Sequence, residues 1–163
     1  MDKETRCRQI RLLDASQTGR LKEVQELVLL GVDVNTTDIW SNTPLLNSIL
    51  NKHRAISMLL IESGADVNKT ECDRRSPLHQ ASDSGDMEIV KLLVKLGANI
   101  NLIDKHGFTP LSRAIISDNI DVVNFLLESG ADINIKNSCG DTPFYEAINS
   151  MNQSIIKIMI KCN

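Results

Sequence analysis

The chain has 163 residues, and its 18 Lys+Arg against 21 Asp+Glu leave a formal charge of −3. It therefore lacks the broad positive field that draws nucleic acid or an anionic membrane. The segment from Met1 to Cys7 carries no apolar leader, and no stretch approaches the roughly 18 apolar residues that span a bilayer, so an intracellular protein, cytoplasmic or nuclear, is expected.

Four cysteines, Cys7, Cys72, Cys139 and Cys162, are scattered without a C-x-x-C pair. They read as reduced thiols rather than a disulfide framework or a thiolate metal site.

All four prolines, Pro44, Pro77, Pro110 and Pro143, stand 33 residues apart. Gly31, Gly64, Gly97 and Gly130 keep the same step, and each is followed four residues later by Asn35, Asn68, Asn101 or Asn134. A period of this length predicts one domain over 1–163, built as an all-α solenoid of about five units that share one elongated core. The expected units are 5–37, 38–70, 71–103, 104–136 and a truncated 137–163.

The first unit has Arg11 where proline would fall, yet keeps Leu12 and Ala15. It reads as an N-terminal cap with a more polar outer side. The second opens on a polar tip around Ile39 and Trp40, with Ser41 where later tips carry glycine, and the third has Arg74 there. A positive φ would cost either residue on the order of 1 kcal/mol, so these two tips are expected to differ in shape.

The fourth unit is the clearest copy. Asp104–Phe108 reads as a tight turn or short β-hairpin tip around Gly107. Thr109-Pro110 then caps and starts a first helix with Leu111, Ala114 and Ile115 on one face. A second, more apolar helix runs from about Ile120 to Ser129 and ends at Gly130. In the fifth unit the last helix, Ile155–Ile160, is as apolar as an internal one, so a following segment, a partner or self-association is expected to cover that end.

Across units, Leu12, Leu45, Leu78, Leu111 and Phe144 form one column, and Leu27, Leu60, Leu93, Leu126 and Met159 another. Small residues, Ala15, Ser48, Ala81, Ala114 and Ala147, run between them and let first helices approach closely.

Thr43-Pro44-Leu45, Ser76-Pro77-Leu78-His79-Gln80-Ala81, Thr109-Pro110-Leu111 and Thr142-Pro143-Phe144, in register with Gly64-Ala65-Asp66-Val67-Asn68 and Gly130-Ala131-Asp132-Ile133-Asn134, resemble the ankyrin repeat over essentially the whole chain. That resemblance implies antiparallel helix pairs in a curved stack with tips projecting from it. It also implies protein ligands on the concave side and no catalytic chemistry. It places His79 where an imidazole ties neighbouring loops together. In similar repeats the loop asparagine can be β-hydroxylated, which makes Asn35, Asn68, Asn101 and Asn134 candidates, with Leu27, Leu60, Leu93 and Leu126 each eight residues earlier. A turn asparagine satisfying local backbone groups is the plainer account.

No histidine pair falls at i, i+4, and no phosphate-binding loop, nucleophile elbow or paired catalytic carboxylate is present. No enzyme, cofactor or metal is expected.

A protein partner is expected on tip residues Ile39, Trp40, Asn42, Asp73, Arg75, Lys105, His106, Phe108 and Asp141, with Asn51, Asp83 and Ser117 at the first-helix ends. Trp40, the only tryptophan, is either an interface anchor or a lid folded onto the next tip. The function read from this surface is a protein-interaction module acting as adaptor, inhibitor or targeting subunit. The alternatives are a structural repeat segment that positions another domain of a larger protein, and a short inhibitory decoy resembling the repeat region of transcription-factor inhibitors.

Overall fold

The computed structural model describes residues 2–161; Met1, Cys162 and Asn163 lie outside the described residues. Ten helices form among them in five pairs: α1 (Lys3–Thr18) with α2 (Leu21–Leu29), α3 (Pro44–Leu50) with α4 (Arg54–Glu62), α5 (Pro77–Ser84) with α6 (Met87–Lys95), α7 (Pro110–Ile116) with α8 (Ile120–Glu128), and α9 (Pro143–Asn149) with α10 (Gln153–Lys161). First helices stack in the order α1, α3, α5, α7, α9, and second helices in the order α2, α4, α6, α8, α10. No helix among the described residues is long and apolar enough to cross a membrane.

Helix starts follow from the repeated dipeptide. Thr43, Ser76, Thr109 and Thr142 have extended backbones, and their hydroxyls accept the N–H of Leu46, His79, Ser112 and Tyr145. Proline then fills the first helical position, where no N–H is needed.

The second helices end on the repeated glycine. At Gly64, with φ 89°, the Gly64 N–H donates to Ile61 O and the Ala65 N–H to Leu60 O. This is a Schellman closure that satisfies two carbonyls otherwise left without partners.

The columns read from the sequence are the core. Leu12, Leu45, Leu78 and Leu111 are fully buried, as are Leu60, Leu93, Leu126 and Met159, and the small column from Ala15 to Ala147 lies between them. Each large side chain gains about 1.5–3 kcal/mol from burial, and it gains this only because a neighbouring unit covers it.

The two ends of the stack are finished differently. Glu23 stands where later units have Ile56, Ile89, Val122 and Ile155, and it accepts hydrogen bonds from Arg11 (2.9 Å) and Arg20 (2.7 Å). That ionic cluster replaces an apolar stacking face. At the other end Tyr145, Ile148 and Ile160 are 50%, 45% and 60% exposed, whereas the equivalent Leu46, Ile49 and Ile61 are 2%, 3% and 7% exposed.

The tips correct two expectations. No strand forms among the described residues; each tip is a single tight turn, closed by pairs such as Asp38 N–H to Asn42 O (3.1 Å) and Ser41 N–H to Asp38 O (3.1 Å). Five residues offer too few backbone bonds for a ladder. Nor do the second and third tips differ in shape: Ser41 and Arg74 hold φ of 65° and 61°, beside 79° and 88° at Gly107 and Gly140.

Candidate functional site

What fixes every tip is the side chain of the residue that opens it. One oxygen of Asp38 accepts the N–H groups of Trp40 (2.8 Å) and Asn42 (2.9 Å). Glu71 accepts from Asp73 and Arg75, Asp104 from His106 and Phe108, and Asn137 from Cys139 and Asp141. These bonds to backbone donors offset the strain of the left-handed residue, which is why Ser and Arg are accepted in place of glycine. Sequence reasoning missed this set, although an acid or amide at a 33-residue step was there to see.

Successive tips are laced by their backbones. Cys72 N–H donates to Trp40 O (3.1 Å), Lys105 N–H to Asp73 O (2.8 Å) and Ser138 N–H to His106 O (2.9 Å). Trp40, Asp73 and His106 therefore occupy one row at a spacing set by the stack.

On that row the expected partner-binding residues divide. Ile39 and Trp40 stand 87% and 60% exposed, so Trp40 is not folded down as a lid. Lys105 pairs with Asp73 at 2.6 Å, and the Lys105 ammonium holds the Asp73 carboxyl below its ordinary value. Arg75 pairs with Asp83 at 3.0 Å, and Ser117 Oγ donates to the other Asp83 oxygen at 2.5 Å, which links the third and fourth units. His106 is exposed and Asp141 half-buried.

Three of the expected contacts are spent internally. The Asn42 amide donates back to Asp38 (3.0 Å), and the Asn51 amide donates to Asn47 O at the end of α3. Phe108 is half-buried with the Arg113 guanidinium 4.7 Å from its ring centre, and Arg113 also pairs with the buried Asp104. Burial pushes the Asp104 carboxyl up, but the Arg113 bond and the two tip N–H groups outweigh it and hold the group low.

His79 does tie neighbouring units. Its Nδ1 accepts the Ser76 N–H at 3.1 Å, so Nε2 carries the proton and donates to Phe108 O at 3.0 Å in the next tip. Burial lowers its pKa to about 4.

The loop asparagines reach farther than a local turn. Asn35 donates to Gly64 O (3.2 Å) and accepts the Asp66 N–H (2.7 Å); Asn68 does the same to Gly97 and Asn99; Asn101 accepts the Asp132 N–H. These three are clamps onto the following unit, whereas the Asn134 amide donates to Asp132 in its own loop.

Among the described residues, one group of potential metal-ligand atoms, from Glu71, Cys72 and Asp73, lies within 4.8 Å. Both Glu71 oxygens are already engaged by tip N–H groups, and Asp73 by Lys105, so the chemistry does not favour an ion there.

A cleft of about 520 Å³ lies between α1 and the first tip. Arg6, Gln9, Ile10, Leu13 and Gln17 line it from one stripe of α1, and Ile39, Trp40 and Asn47 face them. The stripe follows the helical period of 3.6, but its meeting with the tip is a tertiary fact that no local pattern announces.

A family model described as ankyrin repeats (3 copies) matches residues 12–104 and 55–137. A comparison with curated proteins returned no match.

Proposed function

Because the protein belongs to the ankyrin-repeat family, we propose that it is a non-catalytic module that holds a protein partner on the face formed by its tips and first helices. Ankyrin repeats are generally protein–protein interaction modules. The observation that carries the reading here is the pair Ile39 and Trp40, two large apolar side chains exposed on a tip whose backbone is fixed by five hydrogen bonds. A rigid, exposed aromatic anchor costs little ordering entropy on binding. Such a module acts as adaptor, inhibitor or targeting subunit by occupying a partner surface.

The exposed thiols of Cys7, Cys72 and Cys139, all unpaired, support a reducing compartment, cytoplasmic or nuclear.

The test is affinity capture from the native cell with the parent protein and with an Ile39→Asp/Trp40→Ala double variant side by side. A protein retained by the first and lost by the second supports the reading; equal recovery on both places the interaction elsewhere.

A second reading, repeats that position another folded segment, is favoured by one observation: the exposed Tyr145, Ile148 and Ile160 at the far end of the stack. Sedimentation of the 163-residue protein as a monomer that binds no apolar dye would count against it.

A further inference from the structure

We infer that the cleft between α1 and the first tip receives an extended peptide segment that carries a bulky apolar side chain close to a carboxylate. The inference rests on the protein-binding reading above and names the chemistry of the partner.

Shape and apolarity come first. Ile10, Ile39 and Trp40, from elements about thirty residues apart in sequence, converge on one cleft and are all more than half exposed. The core columns are complete without them. A volume of about 520 Å³ matches one or two large side chains rather than a folded surface.

The cleft also holds an unpaired amide. Asn47 is 6% exposed and lines the cleft. Its backbone is bonded within α3, and its carboxamide, without a partner among the described residues, is not among the polar atoms sealed in the core and so is reached from the cleft. A carboxamide offers one acceptor and two donors, and so matches the backbone carbonyl and N–H of an extended segment. A helix keeps those groups for itself, so an extended occupant fits and a helical one does not.

Charge selects the rest. Asp14 is paired with Arg20, and Asp38 is spent on the two tip N–H groups and the Asn42 amide. Arg6 forms no ion pair among the described residues, whereas Arg75, Lys105 and Arg113 along the same face are matched by Asp83, Asp73 and Asp104. Of the three charged groups lining the cleft, Asp38 keeps its charge but has its oxygens filled and Asp14 is paired, so the group free to bind is the Arg6 guanidinium, whose planar fork suits a carboxylate.

The experiment selects a displayed random-peptide library on the full-length protein and titrates a synthetic copy of the best peptide. Trp40, the only tryptophan, reports occupancy of the cleft by its emission. Expected are selected sequences that place Leu, Ile, Met or Phe within a few residues of Asp or Glu, a shift in Trp40 emission on binding, and a loss of affinity of about tenfold or more in Arg6→Glu. Calorimetry on Trp40→Ala should show a comparable loss. Both residues are exposed, and circular dichroism checks that each variant keeps its fold.

Basic or purely apolar selected sequences overturn the carboxylate assignment. Peptides that leave Trp40 emission unchanged, bind Arg6→Glu as well as the parent and weaken in Arg75→Ala/Lys105→Ala overturn the cleft but leave the protein-binding face standing. Selection of no peptide at all overturns the inference.

Discussion

His79 Nε2 donates to the Phe108 carbonyl at 3.0 Å, so a buried imidazole on α5 holds the next unit's tip in place. That bond survives protonation, but Nδ1 can accept the Ser76 N–H only while the imidazole is neutral, and burial disfavours the charged ring. Folding lowers the His79 pKa from 6.5 to about 4. Between those values the unfolded protein takes up a proton that the folded one refuses, so stability falls as pH drops through the window, by up to about 3 kcal/mol. Leu46 fills the equivalent place in the second unit. The prediction is that His79→Leu is the less stable protein at pH 7.5 but loses less on acidification, so the two urea-unfolding curves converge toward pH 4. A constant gap across the range would remove His79 from the account.

Asn68 spans to the following unit with two bonds, to Gly97 O (3.3 Å) and from the Asn99 N–H (2.8 Å), whereas among the described residues the Asn134 amide bonds only to Asp132 in its own loop. Asn68→Ala should cost about 1–2 kcal/mol, and Asn134→Ala well under half of that. Chemical denaturation of both variants measures the difference. Equal losses would mean that the asparagines act within their own turns.

Gly107 and Gly140 hold nearly the same positive φ, 79° and 88°. A Cβ at 107 would meet the Asn137 Cα at 2.8 Å and the Ser138 N at 2.9 Å, while one at 140 meets nothing within 4 Å. Gly140→Ala should cost about 1 kcal/mol for the conformation alone, and Gly107→Ala more than that, since a backbone must also move. Thermal melts that rank them the other way would contradict the tip-to-tip packing described.

Much of this molecule was legible in its sequence. The 33-residue step located the start of each first helix from the second unit onward, by proline, and the end of each second helix through the fourth unit, by glycine, because both residues act through local backbone geometry that neighbours do not override. The tips were harder. Ser41 and Arg74 look like misfits until the carboxylates of Asp38 and Glu71 are seen to pin the turn. Likewise the pairing of Asp73 with Lys105, or of Arg75 with Asp83, joins residues that no local pattern relates. The core columns had no place for Ile39 and Trp40, but the sequence left Trp40 open as anchor or lid, and neither its 60% exposure nor its confrontation with the α1 stripe could be read from a local pattern.

Glu146 occupies the column of Arg113 and is bound in the same way but with roles exchanged: Arg113 reaches the acid Asp104 of its own tip, while Glu146 accepts from the amide of Asn137 at 3.1 Å. Its second oxygen is buried without a partner, and burial raises its pKa. A carboxyl raised in this way loses stability as pH climbs through the folded value, so the cost is present at neutral pH and absent in acid. Glu146→Gln should raise the melting temperature at pH 7 and give no gain near pH 4. A variant that melts lower at both would show that the carboxylate is better matched than its surroundings suggest.

The central claim, that this stack binds protein through the face bearing its first tip, is tested most directly by the dissociation constant of a captured partner for the parent protein and for Trp40→Ala, measured by calorimetry at equal ionic strength. The account predicts a loss of about tenfold or more with the fold intact. An unchanged constant would contradict it.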